Sequence, residues 1–319
     1  MEQAFDPSQP NRREFVKQTA LAGAAVALPG PSLQSSPKHG PLCIFSKHLH
    51  WLDYDATAKT AVSLGFQGLD LTVRKGGHVL PENAERDLAR AAAAAQKAGT
   101  KIVLLTTEID DAKNLLQRKI LKTAAGLGIG CYRMAWLKYD ETMSIRKNLQ
   151  RFRGQLLDLA ELNEKLAIRG AYQNHAGASL GSPVWDIAEL LEEIHSPWLG
   201  CQYDIRHAMV EGANAWPLGL KLVAPYISSI DIKDFQWMKK EGKWQVENKP
   251  LGEGMIDFKN YFALLKKLGV KEDIPICVHY EYDLGGADKG ASKLAVAPEV
   301  VTSAMRKDVE YLSSLLAAI

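Results

Sequence analysis

From residue 42 onward, apolar strand-like runs alternate with amphipathic helical ones eight times, and this alternation restricts the fold more than any other feature. The strand candidates are 42–47, 68–73, 101–106, 130–135, 168–173, 199–204, 227–233 and 274–281. Helical periodicity fills the intervals at 55–64, 83–98, 111–126, 141–166, 184–194, 214–224, 257–268 and 297–317. Asp55, Asp111 and Asp257 stand where N-caps are expected. Gly65, Gly99, Gly126 and Gly269 follow helices, where a left-handed residue is often needed. Eight strand–helix units in about 280 residues predict a single (β/α)8 TIM barrel over 39–319. An open doubly wound sheet would carry a Gly-rich phosphate loop after an early strand, and none is present.

Such a barrel places its chemistry at the C-terminal ends of its strands. Four of the predicted strands end there in polar pairs: Gln173 and His175, Gln202 and Asp204, Asp231 and Lys233, His279 and Glu281. Side chains two apart on a strand share a face, about 7 Å apart along it. Four such ends meeting on one axis make a polar pocket able to take a metal. The first two strands add Lys47, His48 and His50, then Asp70, Thr72 and Arg74, and the fourth adds Arg133. The opposite strand ends carry no comparable decoration, an asymmetry expected of an enzyme.

Net charge narrows the partners. At +2 over 319 residues, with Lys and Arg scattered through the helices, there is no electrostatic footprint for nucleic acid. Cys43, Cys131, Cys201 and Cys277 are far apart, which excludes a structural zinc cluster and predicts buried core thiols. Residues 1–38 read differently. NRREFVKQTALAGAAVALPG joins Arg12–Arg13 to an apolar Ala/Leu run and then to small residues, the layout of a Tat-type export signal and linker. That predicts a periplasmic protein. The apolar run is too short for stable membrane insertion, and the sequence does not specify the oligomeric state.

The ordered segments YQNHAG, DIRHAMVEG, SIDIKD, PLGEG and HYEYDLGG resemble the xylose isomerase-like TIM-barrel superfamily of sugar phosphate isomerases and epimerases. The resemblance spans roughly 42–317 and implies one divalent ion (Mn, Mg, Co or Zn) held by Glu, Asp, His and Glu from strands five to eight. Carried over by position, the ligands become Gln173, Asp204, Asp231 and either His279 or Glu281. His279 aligns most directly with the last family Glu, whereas Glu281 is the nearby carboxylate and is taken as the ligand. Two departures stand out: Gln173 is neutral where a carboxylate is usual, and Asp231 replaces an imidazole.

The function implied is metal-assisted proton abstraction next to a carbonyl of a sugar or sugar derivative, as in an isomerase or epimerase. Glu281 serves as the base, with Lys233 or His207 donating to oxygen. Arg74, His78, His175, Arg133 and His279 are the substrate-binding candidates. With Gln173 in place of a second carboxylate, a one-base 3-keto-glycoside lyase or deglycosidase is the alternative. An inactive sugar-binding barrel is the alternative of another class. Trp51, Trp136, Trp185 and Trp237 lie near strand ends, suited either to stacking on a sugar ring or to ordinary packing.

Overall fold

The computed structural model describes residues 39–318, so the segment 1–38, where the sequence predicts an export signal, lies outside the described residues. Eight parallel strands close into a barrel: β1 Leu42–Phe45, β2 Gly68–Val73, β3 Lys101–Thr107, β4 Cys131–Arg133, β5 Arg169–Gln173, β6 Leu199–Asp204, β7 Ile227–Ile232 and β10 Ile276–Val278. Around it run α1 Tyr54–Leu64, α2 Ala84–Lys97, α3 Leu115–Gly126, α4 Ile145–Leu166 and α5 Trp185–Ile194. They are followed by α6 Ile205–Gly212, α7 Trp216–Val223, α8 Phe258–Lys267 and α9 Pro298–Ala317. The predicted (β/α)8 TIM barrel is the observed architecture.

The period of two along each strand sorts side chains between two environments. Leu42, Ile44, Leu69, Leu71, Tyr132, Tyr172, Tyr203, Ile230, Ile232, Ile276 and Val278 pack in the main core, between strands and helices. The alternate residues face the barrel axis. Low on that axis, Cys43, Leu104 and Cys277, with Val103 and Cys131 against them, form a separate small apolar plug. One pleat higher, the axis-facing residues turn polar: Asp70, Thr106, Arg133, Gln173, Gln202, Asp204, Asp231 and His279 are all buried. Cys43, Leu104 and Cys277 are fully buried, so this plug fills the axis below the polar layer.

The helix caps show where local chemistry outweighed simple spacing. α1 is capped by Asp53, whose Oδ1 accepts from the Ala56 amide at 2.8 Å, rather than by Asp55. α3 starts after Asn114; Asp111 instead accepts from the Lys113 amide at 2.8 Å, in the turn before it. Asp257 caps α8 as expected. Gly65, Gly99 and Gly269 are left-handed, but Gly126 ends α3 itself and Gly128 takes the left-handed turn.

Two elements depart from the expected pattern. α6 begins directly after Asp204, its N-cap, earlier than the helix expected at 214–224, which is α7. Between β7 and α8 the chain also builds an antiparallel hairpin, β8 Asp234–Lys240 and β9 Lys243–Lys249. Its two-residue loop, Glu241–Gly242, has φ of +51° and +78°. Both residues on the left-handed side are what a type I′ turn requires, and alternation around EG in WMKKEGKWQV was the available signal. Asp234 anchors the hairpin base by accepting from the backbone amides of Phe235, Gly252, Gly254 and Ile256 at 2.8–3.3 Å.

Candidate active site

The site lies where β5, β6, β7 and β10 run out, and the register explains why its residues meet. Gln173 lies beside Gln202, and Asp204 beside Asp231. Asp231 is also the partner of Cys277, two residues before His279. Two buried carboxylates on adjacent strands then share an amide: Gln173 Nε2 donates to Asp204 Oδ2 at 3.0 Å and to Asp231 Oδ2 at 2.5 Å. Arg133 fixes which way that amide faces, because its guanidinium donates to Gln173 Oε1 at 3.0 Å. Reversing the amide would set its oxygen against both carboxylates and its NH2 against Arg133, losing three hydrogen bonds at once.

Asp204 also caps α6, accepting from the His207 amide at 3.1 Å through Oδ1. Its Oδ2 takes a second donor, Lys233 Nζ, at 2.9 Å. Lys233 is nearly enclosed and is the hub of the site. Its ammonium also donates to His207 Nε2 at 2.9 Å and lies 3.9 Å from Glu281 Oε1. Burial, then the charge of Lys233, holds the His207 imidazole well below its ordinary pKa, so it is the neutral acceptor of that bond.

His279 and Glu281 part company. β10 ends at Val278, but the His279 amide still donates to Ile232 O at 3.0 Å and its ring keeps the inward face that alternation from Cys277 predicts, whereas Glu281 lies further beyond the strand. His279 stacks on Phe45 with ring centres 4.4 Å apart, and its Nε2 lies 3.4 Å from Asp231 Oδ1. Glu281 stands apart from the carboxylate pair, between Lys233 and Lys47, with Lys47 Nζ at 3.4 Å. Its side chain is 28% exposed, whereas those of Asp204 and Asp231 are 0% exposed. Burial alone would raise its carboxyl, but the ammonium groups of Lys233 and Lys47 outweigh that and hold it down to about 2. In contrast, burial and the charge of Asp204 push Asp231 well up.

The remaining sequence candidates are spread around this centre. Arg133 is buried, positions Gln173 and lies over the Trp136 ring at 4.7 Å. His175 sits between Trp136 and His207, with ring centres 4.3 and 3.9 Å away. Arg74 lies over Phe45 at 5.6 Å, on the Lys47 side of the opening. His78 is turned away into the β1–β2 side, where its Nε2 meets Leu49 O at 3.1 Å and Thr57 Oγ1 at 3.2 Å. Trp136, Trp185 and Trp237 are all exposed, and Trp136 is the one that these contacts place beside the site.

Two contributions were not legible from strand spacing. Asn248 on β9 reaches back over the barrel, accepting from Arg206 at 2.8 Å and donating to Glu281 O at 3.1 Å. Nothing in the sequence marks Asn248, because its role exists only once the hairpin folds over. Gln202, expected on the inward face but without a role of its own, donates to Asp231 Oδ1 at 2.7 Å.

The donor set does not suit a divalent ion as arranged. All four oxygens of Asp204 and Asp231 accept from nitrogen donors of the chain: the His207 amide, Lys233, Gln173 and Gln202. Gln173 turns its NH2, which cannot ligate, toward the pair. Glu281 lies beyond Lys233 rather than with them. Among the described residues, no three histidine, cysteine or acidic side chains are gathered to hold a metal. The expected ligand set of Gln173, Asp204, Asp231 and Glu281 is therefore not brought around one point. His279, the alternative last ligand, brings an Nε2 without a hydrogen-bond partner to 3.4 Å from Asp231 Oδ1, but no third histidine, cysteine or acidic side chain joins that pair among the described residues.

A closed eight-stranded barrel with a buried acid–base cluster at its C-terminal face defines a (β/α)8 protein with an active-site-like centre. The chain belongs to the xylose isomerase-like TIM barrel family, whose profile matches residues 58–298. No curated protein matches it. Several solved structures share its fold. D-psicose 3-epimerase from Clostridium cellulolyticum H10, solved with D-tagatose, is 12% identical over 86% of this chain and 99% of its own, at a TM-score of 0.64. 3-Keto-D-glucoside 4-epimerase from E. coli gives the same figures, 12%, 86%, 99% and 0.64. A xylose isomerase-like TIM barrel protein from Mycobacterium smegmatis, in complex with magnesium, is 11% identical over 89% and 98%, at 0.64. Among the described residues, no helix is long and apolar enough to cross a membrane.

Proposed function

We propose that this protein is an isomerase or epimerase of a sugar or sugar derivative, acting by proton abstraction next to a carbonyl. The observation that carries the reading is the Lys233–Glu281 pair, an acid and a carboxylate 3.9 Å apart at the barrel's catalytic face. Of the site carboxylates, Glu281 is the one open to a ligand, so it is the base. Lys233 is the donor to the substrate oxygen. His207 accepts from Lys233 and so orients it rather than donating in its place. A carboxyl held near 2 is a weak base in the free site. As the charge of Lys233 is drawn onto the developing oxyanion, less of it acts on Glu281, and the carboxylate becomes more basic when the proton moves.

Solved structures of the same fold that carry sugar epimerase names support the substrate class. A second reading, a 3-keto-glycoside lyase or deglycosidase, is favoured by one observation. Gln173 is neutral and tied between Arg133 and the carboxylates, so a second carboxylate base is missing there. A one-base elimination needs no second base. We also propose that the Arg12–Arg13 segment directs export to the periplasm, where a scavenging enzyme would meet such substrates.

The test is solvent exchange. Incubating the protein in D2O with a panel of ketoses and 3-keto-glycosides, then measuring deuterium at carbon by mass spectrometry, reads proton abstraction whatever the product. Exchange is expected for at least one member of the panel. Release of an aglycone with the exchange selects the lyase. Tight binding of a sugar with no exchange in any member would make the barrel a binding protein and refute the enzyme reading.

A further inference from the structure

The missing fit for a divalent ion and the placement of Lys233 are two sides of one arrangement. A metal in such a site has two tasks: to balance buried carboxylates and to polarise the substrate carbonyl. Both are within reach of Lys233. Its Nζ is 2.9 Å from Asp204 Oδ2, so the first task is met for Asp204 by a charge belonging to the chain, while the amides of Gln173 and Gln202 donate to Asp231. An ammonium has three N–H donors. Asp204 and His207 take two of them, and the third remains for the side where Glu281 and the opening lie.

The surroundings fix this cation in place. The backbone of Lys233 follows β7 directly, and its side chain is 5% exposed, so the ammonium is not a mobile surface charge. Gln173 and Gln202 supply the donors that the Asp231 oxygens would otherwise seek from an ion. Arg133 locks Gln173 in the orientation that does so. Restoring ligand geometry would require reversing the Gln173 amide and removing Lys233 from Asp204, and each move breaks buried charge-assisted contacts.

We infer that Lys233 is the resident electrophile of this site, its ammonium and the Gln173 and Gln202 amides together taking over both tasks of a divalent ion, and that the protein acts on its carbonyl substrate without a bound metal. The inference rests on the proton-abstraction reading above. In the step, the C–H bond next to the carbonyl breaks and its proton passes to a Glu281 oxygen. The electron pair moves into the carbonyl to leave an enediolate oxygen. The free N–H of Lys233 donates a hydrogen bond to that oxygen. Glu281 then returns the proton to the former carbonyl carbon, while the hydroxyl on the carbon that lost its hydrogen passes its proton to the former carbonyl oxygen and becomes the new carbonyl. Return to the carbon it left restores the substrate and is read only as deuterium exchange. No oxidant or further reactant is needed.

The experiment uses the mature protein, dialysed against EDTA, with metal content measured by plasma mass spectrometry. Thermal unfolding is then followed with Mn2+, Mg2+, Co2+ or Zn2+ added. Well under one metal per chain, an unchanged melting temperature with each ion, and undiminished deuterium exchange in EDTA are expected. Lys233→Met should lose exchange by a factor on the order of 10²–10³, the usual cost of removing one oxyanion donor, and Lys233→Arg should recover part of it. Stoichiometric metal, a melting temperature raised by an ion, or exchange that EDTA abolishes and an ion restores would overturn the inference while leaving proton abstraction intact. Should Lys233→Met fail to fold, the wild-type metal and exchange measurements still decide. No exchange on any substrate, with or without ions, would instead refute the proton-abstraction reading and this assignment with it.

Discussion

Glu281→Gln separates the roles of the two polar residues beyond β10. The substitution preserves shape and removes the charge that faces Lys233 at 3.9 Å and Lys47 at 3.4 Å. With the base gone, turnover should fall by a factor on the order of 10²–10⁴. The stability cost can be bounded. The carboxyl, ordinarily at 4.5, is held at about 2, which corresponds to roughly 3 kcal/mol of preference for the ionised form at most. Solvent reaches 28% of the side chain, so screening makes the real figure smaller. A depressed carboxylate pKa stabilises the fold above the unfolded value, and that contribution is lost as pH falls from about 4.5 toward 2. The variant should therefore unfold a few degrees lower at pH 7, with the gap closing in acid. Deuterium exchange into the best ketose or 3-keto-glycoside, compared with thermal unfolding at pH 7 and pH 3, measures both effects. His279→Asn should be milder, because that ring faces Asp231 and Phe45 rather than the opening. If His279→Asn abolishes exchange while Glu281→Gln stays near wild type, the assignment of the base is wrong.

Four further outcomes follow from other contacts. Asp204→Ala removes both the buried partner of Lys233 and the cap of α6, so calorimetry should show a loss of about 3–5 kcal/mol; a loss under about 1 kcal/mol would show that the pair carries little. Gly242→Val forces a β-branched residue into the left-handed turn of the hairpin at a cost of about 1–2 kcal/mol, and should lower turnover by loosening Asn248 from Glu281; proteolysis at the hairpin tip together with exchange rates checks both. His48 is held at about 3 by burial and the nearby charge of Lys47. A histidine pKa depressed in the fold makes stability fall as pH drops from about 6.5 toward 3, so His48→Gln should flatten that decline, and the wild-type ring should stay neutral by NMR at pH 5. Replacing Arg12 and Arg13 with lysine should leave the protein in the cytoplasm, and continued recovery from the periplasm would refute Tat export.

The sequence determined the barrel and the end at which its chemistry gathers. Closely spaced apolar and helical periods leave few ways to bury both faces of eight strands, and the period of two fixes which residues face the axis. Gln173, Gln202, Asp204 and Asp231 were therefore legible as one inward layer before any fold was known. Tertiary structure alone decided what those groups do to one another. Alternation reports a face, but it does not report which way an amide turns, and Arg133 on β4 sets that for Gln173 across 40 residues of chain. Alternation carries His279 onto the inward face beside Asp231, but it does not carry Glu281, which lies past the end of β10 and takes Lys47 and Lys233 as neighbours. The position of Lys233 against Asp204 and His207, and the reach of Asn248 from an unforeseen hairpin, arise from long-range contacts between buried charges and donors. Local pattern carries no record of such competition, because its outcome depends on which partners the closed barrel brings within hydrogen-bonding reach.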